Sequence, residues 1–288
     1  MEKLAHLPLD KREQILEILE IIKDVALPEK VILFGSFARG DWVDDEYQEG
    51  GATYSYRSDF DFLVVLNNEL KEKEYEIVSK IENRTLGFDH DVSPIVHTIE
   101  YINKGLSSGQ YFFKDIIKEG IVLYDSNNVV FSSLEIISPE NEYQLIKQYY
   151  ENWIISGSEF LEGTKILFKN ALDKKSSLNQ VIFNLNQSVE KFYGGILLIY
   201  TGYKPKTHKI KIYRKYSKHI SQELNQLFNF PIGDSEEVRL FDILNKSYID
   251  SRYQEGYFID VVDLKKLIEK GERLEKVVIK LSKVKLTR

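Results

Sequence analysis

The chain contains no cysteine in its 288 residues. That excludes a disulfide framework, a thiolate metal site and a thiol nucleophile. No apolar run approaches the length of a membrane span. The N-terminus, Met1-Glu2-Lys3-Leu4-Ala5-His6, lacks the apolar core of a signal peptide. Internal repeats and low-complexity segments are also missing. These absences lead us to expect a soluble, cytoplasmic protein with no membrane partner. Apolar residues make up 43% of the chain and aromatics 12%, enough for a packed core, and the length allows two domains. The formal net charge of −6 disfavours wholesale nucleic-acid binding. The charge is uneven, however. Lys204 to His219 holds seven Lys or Arg and no acid, and Lys265 to Arg288 holds nine basic and three acidic residues. Such asymmetry predicts either one basic surface facing a phosphate, an RNA or a protein, or a solvated helix face.

Val31 to Phe34 is a short apolar run that reads as a buried strand. It stops at Gly35-Ser36, and Phe37-Ala38-Arg39 can begin a helix. Backbone N–H groups at a helix start have no partner within the helix and point outward, so this corner can bind an anion such as a phosphate. Gly35 removes the side chain that would block close approach. Ser36 suits both an N-cap and a phosphate ligand, and the two share one geometry. Arg39, about one turn on, can reach a phosphate or pair with a surface acid. A second run, Ser58 to Leu66, carries Asp59 and Asp61. Side chains two apart on a strand share a face. Two neighbouring carboxylates repel unless a cation sits between them, and Mg²⁺ is commonly held by one or two carboxylates plus substrate phosphates. Phe62 to Leu66 is apolar throughout, so the strand is buried and the pair at its start calls for compensation.

In chain order, Asp10 and Glu13 predict a capping box, followed by Ile15, Ile18, Leu19, Ile22 and Val25 at helical spacing up to Pro28. Leu70 to Arg84 predicts an amphipathic helix. Phe88 to His97 predicts a strand that Pro94 confines to an edge or a bulge. Its two histidines, His90 and His97, are expected to be one packed and one solvated. Tyr111 to Glu119 reads as a helix stopped by Gly120, and Ile121 to Asp125 as a further strand. The mixed pattern predicts an α/β or α+β domain. Ser138-Pro139-Glu140 marks a junction, giving domains 1–138 and 139–288. Beyond it the pattern is helical: 141–170, 178–200, 236–253 and 260–283, with a break at Gly202-Tyr203-Lys204-Pro205 and Gly256 between the last two. This predicts a bundle with short links.

Gly35-Ser36-Phe37-Ala38-Arg39-Gly40 followed by Ser58-Asp59-Phe60-Asp61 resembles the nucleotidyltransferase superfamily, most nearly the minimal nucleotidyltransferases and their aminoglycoside-modifying relatives. The 22 residues between Ser36 and Asp59 form a longer separation than the resemblance leads one to expect, so roughly Asp41 to Tyr56 reads as an inserted loop or hairpin beside the site. The resemblance implies a mixed sheet with helices, and nucleotide-binding roles for Gly35, Ser36, Arg39 and Ser58. It implies metal and catalytic roles for Asp59, Asp61 and a third carboxylate on a neighbouring strand, Asp91, with Asp89 as second choice. The expected cofactor is Mg²⁺, as two ions, with Mn²⁺ as a substitute. The implied reaction moves an NMP group from a nucleoside triphosphate, ATP being the expected donor, to a hydroxyl on a protein, an RNA or a small molecule.

The second half resembles the HEPN family through Phe183 to Phe192, Gly202 to His208, and Ser251-Arg252-Tyr253. The whole is thus expected to be α+β: a nucleotidyltransferase-like domain followed by a HEPN-like bundle, with a homodimer allowed. An alternative is a HEPN-type ribonuclease or toxin controlled by the fused domain, in a toxin–antitoxin-like arrangement. Such ribonucleases use an Arg and a nearby His, and Arg214 with His219 offers the spacing but not the place in the bundle. A further alternative is a non-catalytic nucleotide-binding protein.

Overall fold

The structure, a computed structural model, describes residues 2–49, 52–69, 72–133, 137–217, 220–228 and 234–287. Expectations that fall on Gly50, Gly51, Leu70, Lys71, Lys218, His219 and Arg288, or on the side chains of 45–56, lie outside the described residues. The chain divides into two compact units, Met1–Ile136 and Ile137–Arg288. The fold is α+β.

The first unit opens with α1 (Leu9–Ala26), then β1 (Lys30–Phe34), the single turn α2 (Ser36–Arg39), β2 (Asp44–Glu49), β3 (Ala52–Arg57) and β4 (Phe60–Leu66). There follow α3 (Glu74–Arg84), β5 (Val92–Thr98), α4 (Ile99–Ser107), α5 (Tyr111–Glu119) and β6 (Ile121–Asp125). Four strands make a mixed sheet in the order β5-β4-β1-β6, with β1 antiparallel to β4 and β6, and β4 parallel to β5. β5 is an edge strand, which is where Pro94, with no N–H to donate, can sit. The inserted segment is the separate hairpin β2–β3.

One face of the sheet carries the core. Ile15, Ile18 and Ile22 of α1 and Ile77 and Ile81 of α3 pack on Val31, Leu33, Phe60, Phe62, Val64, Val92 and Val96. Because side chains alternate along a strand, this assigns Asp61, Leu63 and Val65 of β4 and Ser93, Ile95 and His97 of β5 to the opposite face. The helix α1 begins at Leu9 after Pro8, with no side-chain cap. Asp10 therefore lies in the first turn, where its charge favours the helix N-terminus, and does not act as the cap of the expected box. α3 starts at Glu74, later than the periodicity suggested, after the turn at Asn68–Glu69.

The second unit is helical: α6 (Pro139–Tyr149), a π-helical stretch Tyr150–Ile155, α7 (Ser156–Lys174), α8 (Asn179–Thr201), α9 (Ile210–Ser217), α10 (Gln222–Gln226), α11 (Ser235–Tyr253) and α12 (Val261–Leu286). The long pattern over 141–170 is thus one rod interrupted by a π-bulge. The central helix is α8, against which α7, α9, α11 and α12 all pack. Val181, Leu185, Val189, Phe192 and Ile196 are its buried stripe. A Cβ at Gly195 would come within 2.7 Å of Trp153 and Ile154, so the π-stretch approaches α8 where only glycine leaves room. No described helix is long and apolar enough to cross a membrane.

The end of the sheet away from Asp61 is locked by Glu29. Its carboxylate accepts from Asn67 Nδ2 at 3.0 Å, Asn128 Nδ2 at 3.1 Å and the Ser126 hydroxyl, tying together the loops after β4 and β6. The Ser126 and Asn67 bonds hold this carboxyl below the usual glutamate range. A depressed folded-state pKa stabilises the fold above the unfolded value and loses that contribution as pH falls through it. Glu29→Gln is therefore expected to flatten the decline in melting temperature below about pH 4.5, and Glu29→Ala to cost about 1–2 kcal/mol at neutral pH in urea titrations.

Candidate functional site

The first candidate site lies where β1 ends. Phe34 pairs with Asp61 across the antiparallel ladder, and the chain then turns at Gly35 with φ 74° and ψ −154°. That backbone region is costly for any residue with a side chain. A Cβ on Gly35 would also collide with Asp61 Oδ2. The glycine is therefore required twice, by its torsion and by the carboxylate packed against it. The next residue, Ser36, is buried, and its Oγ has no hydrogen-bond partner among the described residues. An unpaired buried hydroxyl is costly, so this atom is suited to an external partner. Helix α2 is one turn long, shorter than expected, so its macrodipole is small, and an anion at this corner would meet the amides of the turn itself.

Asp59 and Asp61 are both buried, at 7% and 6% exposure, and both engage neighbouring groups. Asp61 lies beside Ser93 in the β4–β5 register. Asp91 stands one residue ahead of β5, exposed, with its carbonyl accepting from Phe60 N at 2.9 Å. The ladder continued by that bond places Asp91 alongside Asp59. Among the described residues no three His, Asp or Glu side chains are gathered to hold a metal ion. The donor set on offer is thus the Asp59/Asp61 pair, which suits a hard divalent cation whose remaining ligands are phosphate oxygens and water. Asp89 turns away: its carboxylate accepts from Lys11 Nζ at 3.0 Å and Gln14 Nε2 at 2.7 Å, anchoring α1. Arg39 is exposed and paired with Asp41 at 3.2 Å.

Ser58 is the hinge of the inserted hairpin. Its N–H donates to Val43 O at 2.8 Å, and its Oγ accepts from Val43 N at 2.9 Å. His90 was not expected among the functional residues, yet it lies at this junction. The ring is buried, with Nδ1 2.8 Å from Ser58 O. A carbonyl only accepts, so Nδ1 carries the proton. Burial pushes the imidazole below the usual histidine range. His97 is buried as well, stacked on Tyr101 at 4.2 Å and 3.2 Å from Glu74. Both histidines are therefore packed, contrary to the expectation of one in solvent, because aromatic rings enclose both: Phe37, Trp42 and Phe60 around His90, and Tyr101 and Phe113 around His97.

In the second unit the sequence marks converge on Tyr248. His208 stacks on this ring at 4.2 Å, and the Arg252 guanidinium lies 4.2 Å from its centroid and 5.0 Å from that of Phe183. His208 Nδ1 is 3.0 Å from the Glu190 carboxylate. The basic stretch is not a uniform solvated face. Ile210 and Tyr213 are buried, and Lys204 is drawn inward, 2.6 Å from Tyr213 Oη and 5.1 Å from the Trp153 ring, where burial lowers its pKa. Lys206, Lys209 and Lys211 remain exposed. Arg214 lies in α9 with its guanidinium 5.8 Å from the Phe241 ring; His219 is outside the described residues, so no Arg–His pair can be assembled from them.

Comparison with known families agrees with this division. A family model described as "Polymerase beta, Nucleotidyltransferase" matches residues 14–129, and one described as "HEPN domain" matches residues 150–281. No curated protein matches the sequence. The first match spans Gly35, Ser36, Asp59 and Asp61; the second spans Phe183, His208, Tyr248 and Arg252.

The double requirement at Gly35 is measurable. Gly35→Ala is expected to lose about 1–3 kcal/mol in urea unfolding, from the left-handed backbone and the displaced carboxylate together. An unchanged midpoint would contradict the close approach to Asp61.

Proposed function

We propose that this chain, which joins a nucleotidyltransferase domain of the polymerase beta type to a HEPN domain, transfers a nucleoside monophosphate from a triphosphate to a hydroxyl acceptor. The observation that carries the reading is the buried Ser36 hydroxyl, without a partner among the described residues, beside the glycine that faces Asp61. A phosphate acceptor oxygen would satisfy that hydroxyl, and the turn amides would meet the same group.

In this reading Asp59 and Asp61 hold Mg²⁺, as two ions, with Mn²⁺ as a substitute. Bound metal supplies charge neutralisation to the phosphates. Gly35 and Ser36 orient the triphosphate, with ATP as the expected donor, and Ser58 fixes the start of the carboxylate strand. Asp91, exposed beside Asp59, takes the proton of the acceptor hydroxyl. The acceptor oxygen then forms its bond to the α-phosphorus, the bond from that phosphorus to the bridging oxygen breaks, and pyrophosphate leaves. Arg39 would have to exchange its Asp41 partner for a phosphate to take part. The acceptor class is a protein, an RNA or a small molecule. We assign contact with an RNA or protein partner to the basic stretch, through the exposed Lys206, Lys209 and Lys211, whose charge suits an anionic surface.

Calorimetry with ATP, GTP, CTP and UTP, with and without Mg²⁺, tests the donor half. The reading expects metal-dependent binding of one triphosphate, weakened at least about 100-fold in Asp59→Ala/Asp61→Ala, since each lost charged contact is worth roughly 1.5–3 kcal/mol. Equal binding by the double variant would remove these carboxylates from the site.

A further inference from the structure

Residues 90 and 91 grip the chain on both sides of Asp59. The His90 ring donates from Nδ1 to Ser58 O at 2.8 Å, and the Asp91 carbonyl accepts from Phe60 N at 2.9 Å. The ring itself is held edge-on by Phe37 of α2, with centroids 5.0 Å apart, by Phe60 of β4 at 5.1 Å and by Trp42 at 6.1 Å. Trp42 in turn stacks on Phe37 at 5.3 Å and 9°. His90 therefore touches the phosphate corner, the carboxylate strand and the approach to the inserted hairpin. Ser58, whose carbonyl it holds, is the residue that closes that hairpin against Val43. The far side of the ring faces the hairpin too: Nε2 is 3.9 Å from Asp44, whose carboxylate pairs with Arg57 at 2.9 Å.

We infer that His90 is a positioning residue, clamping Ser58 so that Asp59 is presented beside Asp61 while the base of the inserted hairpin is locked to the same point. The inference depends on the role given above to the two aspartates. It assigns a function to the insertion as well: a hairpin anchored at Ser58 cannot move without moving the neighbour of Asp59. The hydrogen bond, not ring packing alone, sets the position, because the carbonyl it holds is one bond from the Asp59 nitrogen.

The test uses the full chain and three variants. His90→Phe keeps the ring and loses the donor; His90→Gln keeps the size but moves the donor; His90→Asn keeps an N–H at the Nδ1 position. Amide hydrogen exchange is read at Val43, Ser58 and Phe60, alongside calorimetry with Mg²⁺ and the triphosphate that wild type binds. We expect His90→Phe and His90→Gln to raise exchange at these amides, and to weaken triphosphate binding, by about five- to tenfold, the worth of one net hydrogen bond. His90→Asn should restore most of both. Unchanged exchange at the three amides in a folded His90→Phe or His90→Gln protein would overturn the clamp. So would equal loosening in all three variants, which would leave a packing role only. Should wild type bind no triphosphate while the exchange pattern holds, the clamp stands and the nucleotide-transfer reading falls.

Discussion

The physical constraint on which the first unit depends is the contact between Gly35 and Asp61. Antiparallel pairing of β1 with β4 sets Phe34 opposite Asp61. The chain must leave the sheet at that point, and it does so through a left-handed glycine pressed against the carboxylate. Three consequences follow from one contact. The turn is fixed at the point where β1 leaves the sheet. The Ser36 hydroxyl is buried without a partner among the described residues. Asp61 packs its carboxylate against the Gly35 backbone, on the face of the sheet opposite the α1/α3 core. In the proposed site, a carboxylate already packed in place would lower the ordering cost of binding.

The inserted hairpin extends this arrangement. Its two strands form their own ladder and do not enlarge the central sheet. They are tied to the sheet through Val43 and Ser58, the latter in the grip of His90. The added segment thus bears on the same few atoms that hold Asp59. In the second unit, α8 plays the organising part, and the Gly202–His208 turn is pinned to the bundle by Lys204, Tyr213 and the Glu190–His208 pair. Part of the basic charge is consequently spent on internal packing, and only some lysines of that stretch reach solvent.

Features legible in the sequence were those set by local pattern. The apolar runs of β1 and β4, the Gly-Ser corner, the edge placement forced by Pro94 and the breaks at Gly120 and Gly202 all appear where periodicity and turn chemistry put them. The misses at His90 and Lys204 come from contacts made across long sequence separations. His90 lies between two aspartates and His97 in a mainly apolar strand, and Phe37, Phe60 and Trp42 enclose the one and Tyr101 and Phe113 the other. Lys204 reads as a surface cation until Trp153 and Tyr213 draw it inward. Pro8 displaced the helix start, so the Asp10/Glu13 box did not form. A signal for His90 existed in the sequence: a histidine flanked by two aspartates at the start of a strand next to the proposed carboxylates. Its partner, the Ser58 carbonyl, could not be named without the fold.

The most direct measurement is crystallography of the full chain with Mn²⁺ and a non-hydrolysable triphosphate, using anomalous scattering to locate the metal. We predict a peak in direct coordination with the Asp59 and Asp61 carboxylates, and a phosphate within hydrogen-bonding reach of Ser36. A metal and triphosphate bound elsewhere, with Asp61 still seated on Gly35 and Ser36 still unpartnered, would contradict the account.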